Sequence, residues 1–395
     1  MHSVEDAARL VADKIAPLAS ERVPLRDARG RVLADDVVAA RALPPFDNSA
    51  MDGYAARSAE LPATLPVVGQ VAAGQLMTGE LPPRIAIRIL TGAPLPVGLD
   101  TIVIQEEAKV DGPNVTLPAS APGDNVRRAG EDIAIGELAV ARGARLGVGE
   151  IGLCAALGVA EVACTKRPRV AVISTGDELV EVGVRVGPAQ IVDSSAHALA
   201  VAIADAGGIA TNVGIVRDDP IAMAALIASA LDHDVVITTG GVSVGDRDHV
   251  RAALASAGVE LALWKVAMKP GKPFSFGMNS KTPVFGLPGN PVSTFVAFEL
   301  FVRPALLAMQ GATVTQRPSA PVTLVRGYRK QAGRAHYVRA NVVRRGEQLI
   351  AHPHAKQGSA MLTSLVGCNA LVELPAEATE LAPNRVVQAL LLEAV

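Results

Sequence analysis

Near the start of the chain, apolar Val4, Ala7, Ala8, Val11, Ile15 and Leu18 recur at helical spacing, with Ser3 and Asp6 placed as a capping box. Charged residues fill the opposite face, which predicts an amphipathic helix rather than a signal peptide. From residue 44 to 138 the rhythm changes. Pro and Gly are frequent there, and short apolar runs at 65–71, 85–90 and 101–105 predict strands of a small twisted domain. Helical spacing returns in 139–167, around VGEIGLCAALGV. That second helix is expected to pack on the N-terminal one, so that the strand domain is inserted between two halves of a helical domain.

Residues 168–312 have another period. Strand-like 170–174 leads to a helix at 195–206 and a strand at 211–216. Asp219-Pro220 reads as an N-cap followed by Pro at the first helical position, opening a helix to Leu231. A strand at 235–239, a helix at 249–256, strands at 261–266 and 284–287, and a long helix from Pro291 to about Met309 complete the series. This alternation predicts a doubly wound, mostly parallel sheet. Beyond residue 313, apolar and polar positions alternate between turns, as in a small β-barrel or sandwich. The expected protein is therefore a multidomain α/β chain. Its parts are a discontinuous helical domain (1–43 and 139–167), an inserted β-rich domain (44–138), a doubly wound α/β domain (168–312) and a small C-terminal β domain (313–395).

Composition narrows the function classes. Half of the 395 residues are hydrophobic but only 3% are aromatic, which suits α/β layers and argues against a protein that stacks bases on aromatic platforms. A net charge of −2 leaves no broad electrostatic footprint for nucleic acid or an anionic membrane, so an anion site has to be local. Cys154, Cys164 and Cys368 are widely spaced and read as three buried thiols rather than a disulfide framework or zinc site. His352 and His354 form a lone HxH that reads as surface. The most hydrophobic stretch, 284–302, is interrupted by Pro288, Asn290, Pro291 and Glu299, which argues against a membrane span. The expectation is a soluble, cytoplasmic protein.

Ligands of open parallel sheets bind where the carboxyl ends of the strands meet the following loops. The unusual polar residues of 168–312 fall there: Thr175-Gly176-Asp177-Glu178, Arg217-Asp218-Asp219, the run from Thr239 to Asp248, Lys269-Pro270-Gly271-Lys272-Pro273, and Pro288-Gly289-Asn290-Pro291-Val292-Ser293. Five such loops on one rim describe a site for a phosphorylated ligand and a cation. In TGGVSVG, Gly240, Gly241 and Gly245 let backbone N–H groups face an anion and Ser243 adds a hydroxyl, although such a run also reads as an ordinary glycine-rich turn. It is not a Walker loop, because Gly-Lys-Ser/Thr is absent. The Pro-Gly-Pro frame fixes where Lys269 and Lys272 point; two surface lysines are the plainer reading. Glu178, Asp246 and Asp248 offer hard oxygens to Mg²⁺, and Asp246 and Asp248 also read as helix caps. The inserted domain has its own dense run, PPFDNSAMDGYA from Pro44 to Ala55, followed by LTGAP at 90–94 and RRAGEDI at 127–133; each also reads as a turn.

PPFDNSAMDGYA, LTGAPLPVGLDTIV, RRAGEDI, STGDEL, TGGVSVGDRD, MKPGKP and LPGNPVS together resemble the molybdopterin molybdenumtransferases, the MoeA family that includes the E-domain of gephyrin and plant equivalents. The motifs stand in family order over essentially the whole chain. The resemblance implies that 168–312 is a molybdopterin-binding domain of an elongated four-domain protomer. It further implies a homodimer with each active site between the α/β domain of one subunit and the inserted domain of the other. Its chemistry takes adenylated molybdopterin and molybdate as substrates, with Mg²⁺, and releases AMP and molybdenum cofactor; molybdopterin adenylyltransferase is the implied partner enzyme. By motif position, Glu178 and Asp248 belong to the metal site, and these two with Asp52 and Asp132 are the implied catalytic residues. Thr91, Thr175, Gly240, Gly241, Ser243, Gly245, Lys269, Lys272, Pro288, Asn290, Pro291 and Ser293 would bind substrate. Arg334 or Arg339, with Ser359, would face the oxyanion from the C-terminal domain.

Departures are small: Asp193-Ser194-Ser195 replaces the usual Asp-Ser-Asn, and Thr239 stands where Ser is common. Two other functions compete. An adenylyltransferase shares the α/β domain but needs only about 168–312. A non-enzymatic scaffold wants a fused partner domain or a long linker, and no low-complexity linker is read along the chain.

Overall fold

The computed structural model describes residues 1–241, 249–393 and 395. Its central sheet has six strands in the order Ile209–Val216, Arg169–Thr175, Val235–Thr239, Thr282–Leu287, Ser275–Asn279 and Glu260–Trp264. The first four run parallel, and Ser275–Asn279 is antiparallel to both neighbours. Strands covered on both faces need continuous apolar text, which Arg169–Thr175 and Val235–Thr239 provide. Helices Ser195–Asp205 and Pro291–Met309 cover one face, and Pro220–Ala230 and His249–Ser256 cover the other. Asp219 caps its helix as expected, its Oδ1 accepting from Ile221 N at 2.8 Å and Ala222 N at 3.3 Å.

Ser275–Asn279 is a strand the sequence reading did not contain. Gly277 interrupts its apolar text, yet the packing demands glycine: a Cβ there would lie 2.7 Å from the Glu260 carbonyl oxygen. The long helix carries a π turn at Phe298–Val302. By length and hydropathy it passes for a membrane span, but 83% of it is buried inside the protein, so it is a core helix. Within the π turn, buried Glu299 accepts from Arg317 Nε at 2.8 Å and Nη2 at 3.1 Å.

The N-terminal helix Val4–Ala12 is capped by Ser3, whose Oγ accepts from Asp6 N at 3.0 Å. It does not pack on Val148–Ala156, contrary to expectation. Its Ala8 and Val11 face Phe301, Pro304 and Ala305 of the long helix, which offers a broader apolar surface. Helix Val148–Ala156 instead joins a core with Val23, Leu33, Val140 and Val162. The two chain segments flanking 44–138 meet through ladders, Ser20–Pro24 with Glu161–Thr165 and Val37–Val38 with Leu138–Val140. Between them lies a six-stranded sheet in the order Thr101–Ile104, Gly53–Ala56, Ala86–Ile89, Ala63–Val71, Asn114–Leu117 and Lys109–Asp111.

The C-terminal strands close a barrel. Ala335–Arg345 pairs with both Gln348–Pro353 and Ala370–Leu374, and Ser319–Leu324 and Val386–Leu391 complete the circuit. Alternate residues such as Val338, Ala340, Val342, Val322 and Val372 fill its interior. A parallel ladder of Met268–Lys269 with Ala335–His336 joins barrel and α/β region. Cys154 and Cys164 are buried; Cys368 is only half-buried, its Sγ donating to the Ala370 carbonyl at 3.3 Å.

Candidate active site

The parallel strands end in step. Thr175 stands opposite Val216, Ser174 opposite Thr239, and Thr239 opposite Leu287. The loops beginning at Gly176, Arg217, Gly240 and Pro288 therefore leave from one edge. The strand order places Arg169–Thr175 between the second and third strands of the fold, the point where successive connections diverge and a crevice opens. A cavity of about 590 Å³ lies there, and Thr175, Glu178, Gly240, Gly241, Pro288, Asn290 and Pro291, all expected from the sequence, line it. Thr175 Oγ1 donates to the Thr239 carbonyl at 3.2 Å, tying two rim loops together. Gly240 has φ +91°, and a Cβ there would lie 2.3 Å from the Thr175 carbonyl oxygen, so only glycine lets these loops approach so closely. The long helix starts at Pro291 on the cavity wall, bringing the positive end of its peptide dipoles to the site.

Ser243, Gly245, Asp246 and Asp248 lie outside the described residues. The lysine loop reaches the same rim from the Glu260–Trp264 strand. Pro273 lines the cavity, whereas Lys269, Lys272 and Ser293 do not. Ser293 is buried in the first helical turn, and its carbonyl lies 3.7 Å from where a Gly271 Cβ would sit, so the lysine loop rests on that turn. Lys269 is exposed and placed by the inter-domain ladder opposite His336. Arg334 immediately precedes that barrel strand. His336 is only 4% exposed and its Nε2 has no partner. Burial, followed by the charges of Lys269, Lys330 and Arg334, holds its imidazole pKa down at about 4. A cationic corner thus forms where barrel and α/β region meet.

Ser359 is drawn to the rim from the barrel side. Its Oγ accepts from Asn290 Nδ2 at 3.1 Å, and its carbonyl accepts from Val292 N at 3.1 Å. Ala360 and Leu362 follow onto the cavity wall. Arg339, one of two arginines expected to face an oxyanion, does not reach the cavity. It is 1% exposed, beneath the same loop, because its fork is taken up by loop acceptors. Asp193, Ser195 and Asp218 line the cavity, although the sequence reading assigned none of them an individual role. Asp193 accepts from Ser174 Oγ at 2.5 Å, Ser195 N at 3.0 Å and Ala196 N at 3.1 Å, while the Asp218 N–H donates to Asp177 Oδ1 at 3.3 Å. Asp193 and Ser195 carried a signal in standing at the usual Asp-Ser-Asn, and Asp218 in its rim loop, where it is indistinguishable from the capping Asp219.

Asp52, Thr91 and Asp132 line no part of this cavity. Asp52 Oδ1 accepts from Thr91 N and Oγ1, both at 2.7 Å, and these bonds hold its carboxyl below the ordinary range. Exposed Asp132 is held by its N–H, which donates to the Leu43 carbonyl at 3.0 Å. Among the described residues, no three His, Cys, Asp or Glu side chains gather as a preformed metal cage. A separate cavity of about 680 Å³ on the barrel, lined by Glu373, Glu377, Glu380 and Arg385, contains none of the expected site residues.

Known proteins match this arrangement along its length. Residues 2–158 match the MoeA N-terminal region (domain I and II), 171–308 a family described as a probable molybdopterin binding domain, and 321–392 the MoeA C-terminal region (domain IV). Molybdopterin molybdenumtransferase 2 of Mycobacterium tuberculosis is 38% identical over 404 residues, covering 98% of this chain and 99% of that protein. Molybdopterin molybdenumtransferase of Haemophilus influenzae is 36% identical over 370 residues, 91% of each. The crystal structure of the molybdopterin biosynthesis moeA protein from Pyrococcus horikoshii OT3 superposes with a TM-score of 0.87 at 30% identity, covering 99% of this chain and 100% of that one.

Proposed function

The chain belongs to the MoeA family, making it a molybdenum-transferring enzyme of molybdenum cofactor biosynthesis, and from that premise we propose that it inserts molybdate into adenylated molybdopterin with Mg²⁺-dependent release of AMP. One observation carries the finer reading: a cavity of about 590 Å³ at the carboxyl rim, walled by a helix N-terminus and Glu178, beside a cationic corner of Lys269, Arg334 and Lys330. Molybdate is a dianion and the adenylate a phosphoanhydride, so both substrates are anions that such a rim can gather. Lys269, Lys272, Ser293, Arg334 and Ser359 hold the oxyanion in this reading. Thr175, the glycines Gly240 and Gly241, Pro288, Asn290 and Pro291 hold the adenylated pterin, together with Ser243 and Gly245.

Mg²⁺ takes one or two carboxylates and completes its shell with phosphate oxygens and water. Glu178 and Asp218 on the cavity wall fit that donor set, with Asp248 joining them on motif grounds. Bound there, the ion would supply Lewis-acid polarisation of a phosphoryl oxygen. Glu178 or Asp132 orients the attacking water. The soft ligands molybdenum requires come from the pterin dithiolene, so no protein thiol is needed. Exposed Thr91 and Asp132 and half-buried Asp52 lie in another part of the chain. They complete the cleft of a second copy, making the working unit a homodimer with shared sites. The protein works in the cytoplasm on small molecules, without nucleic acid or membrane, receiving its substrate from molybdopterin adenylyltransferase.

Incubating the pure protein with adenylated molybdopterin, molybdate and Mg²⁺ tests this. AMP release that requires all three supports the transfer. ATP-dependent adenylation of molybdopterin would instead assign the adenylyltransferase reaction, and neither activity would leave a scaffold.

A further inference from the structure

The cavity assigned to a phosphorylated substrate has the wrong charge for one. Among the described residues, its wall carries Glu178, Asp193 and Asp218 but no lysine or arginine. Carboxylates repel a phosphoanhydride, and a bound Mg²⁺ offsets only part of that charge. Lys269 lies off the wall, and the corner it forms with Arg334 and Lys330 serves molybdate in this reading. A cation for the phosphate therefore has to arrive from another part of the protein.

Arg88 is the only arginine on the six strands of the inserted sheet. Its ladder neighbour is Tyr54, and Cζ lies 5.0 Å from the centre of that ring, so the guanidinium rests on an aromatic face. Nη1 donates to the Gly53 carbonyl at 3.1 Å and Nη2 to Gln105 Oε1 at 2.5 Å. Those bonds fix the fork but leave Nε and the remaining N–H groups without an acceptor among the described residues. Nor does any carboxylate among them lie within ion-pair distance of Arg88. Other arginines of the domain are committed: Arg128 donates to Asp47 at 2.6 Å, and Arg57 to the Leu81 and Pro82 carbonyls, both at 2.9 Å.

Antiparallel pairing brings Arg88 to the sheet end that holds Asp52 and Thr91. Gln105, which braces Arg88, also donates its N–H to the Asp52 carbonyl at 3.0 Å. The bonds from Thr91, and then the nearby Arg88 charge, hold the Asp52 carboxyl below the ordinary range. A half-buried guanidinium held rigid, unpaired and beside these two residues is prepared for an external anion. We propose that Arg88 is a substrate-binding residue: it reaches the rim of a second copy together with Asp52 and Thr91 and binds the phosphate that leaves as AMP. This deepens the molybdate-transfer reading with shared sites and rests on it.

The test compares full-length Arg88→Gln and Arg88→Lys with wild type. Steady-state AMP release is followed at varied adenylated molybdopterin and at varied molybdate, and product inhibition is measured with added AMP. Arg88→Gln is expected to raise the AMP inhibition constant and the KM for adenylated molybdopterin about tenfold, the loss of a hydrogen bond to a charged group. The molybdate KM should hardly change, because molybdate is held on the barrel side. Arg88→Lys keeps the charge but not the fork and should raise the same two constants by a smaller factor. An unchanged AMP inhibition constant in both variants overturns the proposal. So does a fall in kcat alone, which would mean that Arg88 acts only through Asp52. An equal rise in the molybdate KM also overturns it, since the whole site would then be disturbed. Should Arg88→Gln fail to fold, Arg88→Lys decides by the same criteria. A wild-type protein that releases no AMP would instead sink the underlying functional reading, and the proposal with it.

Discussion

Replacing Gly240 with alanine puts a methyl group where two rim loops touch. With φ at +91°, the new Cβ would lie 2.3 Å from the Thr175 carbonyl oxygen and 2.8 Å from Thr175 Oγ1. Restoring a separation of 3.0 Å requires the carbonyl to retreat by about 0.7 Å, the difference between 3.0 and 2.3. Thr175 ends a strand paired on both sides, so the movement is passed to the loops carrying Glu178 and Gly241. Misplacement by about 1 Å costs catalysis on the order of a hundredfold, so kcat/KM for AMP release should fall roughly 10- to 100-fold. The left-handed backbone itself costs about 1–2 kcal/mol for a residue with a Cβ. Gly214→Ala isolates that cost: it lies in the same sheet at φ +116° with nothing within 4 Å of its added Cβ. Gly240→Ala should lose more thermal stability than Gly214→Ala, and only Gly240→Ala should lose most of its kcat/KM. Equal kcat/KM in the two variants would refute the view that the contact between Gly240 and Thr175 sets the site's geometry.

Three further outcomes are expected. Asp52→Asn and Glu178→Gln proteins should each be nearly inactive; unfolded, mixed equally and refolded, they should regain about a quarter of wild-type sites if each site is shared across a twofold axis, and recovery near zero with mixed dimers confirmed by mass would count against sharing. Glu299→Gln leaves half-buried Arg317 without its carboxylate and should cost about 1–3 kcal/mol, read from urea unfolding followed by the fluorescence of Trp264, the only tryptophan; a loss under about 1 kcal/mol would make the pair dispensable. His336 has its folded pKa lowered to about 4 from 6.5, so its neutral form stabilises the protein above pH 6.5, and that contribution is lost as pH falls toward 4. Between pH 7 and 5 wild type should therefore lose up to about 2 kcal/mol more stability than His336→Phe, and equal losses in urea titrations at the two pH values would dismiss His336 as the cause.

Much of this architecture was legible because local chemistry and global fold agree. Asp219-Pro220 announced a helix start and caps one; the continuous apolar runs of the parallel strands announced burial on both faces. Thr175, Glu178, Gly240 and Asn290 could be placed on one rim because strand ends dictate where loops emerge. What stayed hidden depends on contacts between distant parts of the chain. The five residues Ser275–Asn279 drew no assignment as a strand, because the reason for Gly277 shows only when Glu260 is seen pressing on it. The apolar stripe of Val4–Ala12 showed that the helix needs cover, but not that the cover is Arg303–Met309. Arg334 and Arg339 are five residues apart, one just before the barrel strand and one within it, and nothing local tells which of them the Gly358 carbonyl and Ser364 will claim.

The ladder between Ser20–Pro24 and Glu161–Thr165 also has a meaning during synthesis. A ribosome adding about 5–20 residues per second needs roughly 7–30 seconds to make the stretch separating those strands. Throughout that interval Ser20–Pro24 has no partner, and the apolar stripe of Val4–Ala12 waits longer still, until the helix ending at Met309 has emerged. The intervening sheet, whose six strands all lie between Gly53 and Leu117, can mature first. The nascent chain can therefore complete the intervening sheet while the strand and helix that precede it still lack their partners, and the apolar stripe of Val4–Ala12 stays uncovered for longest.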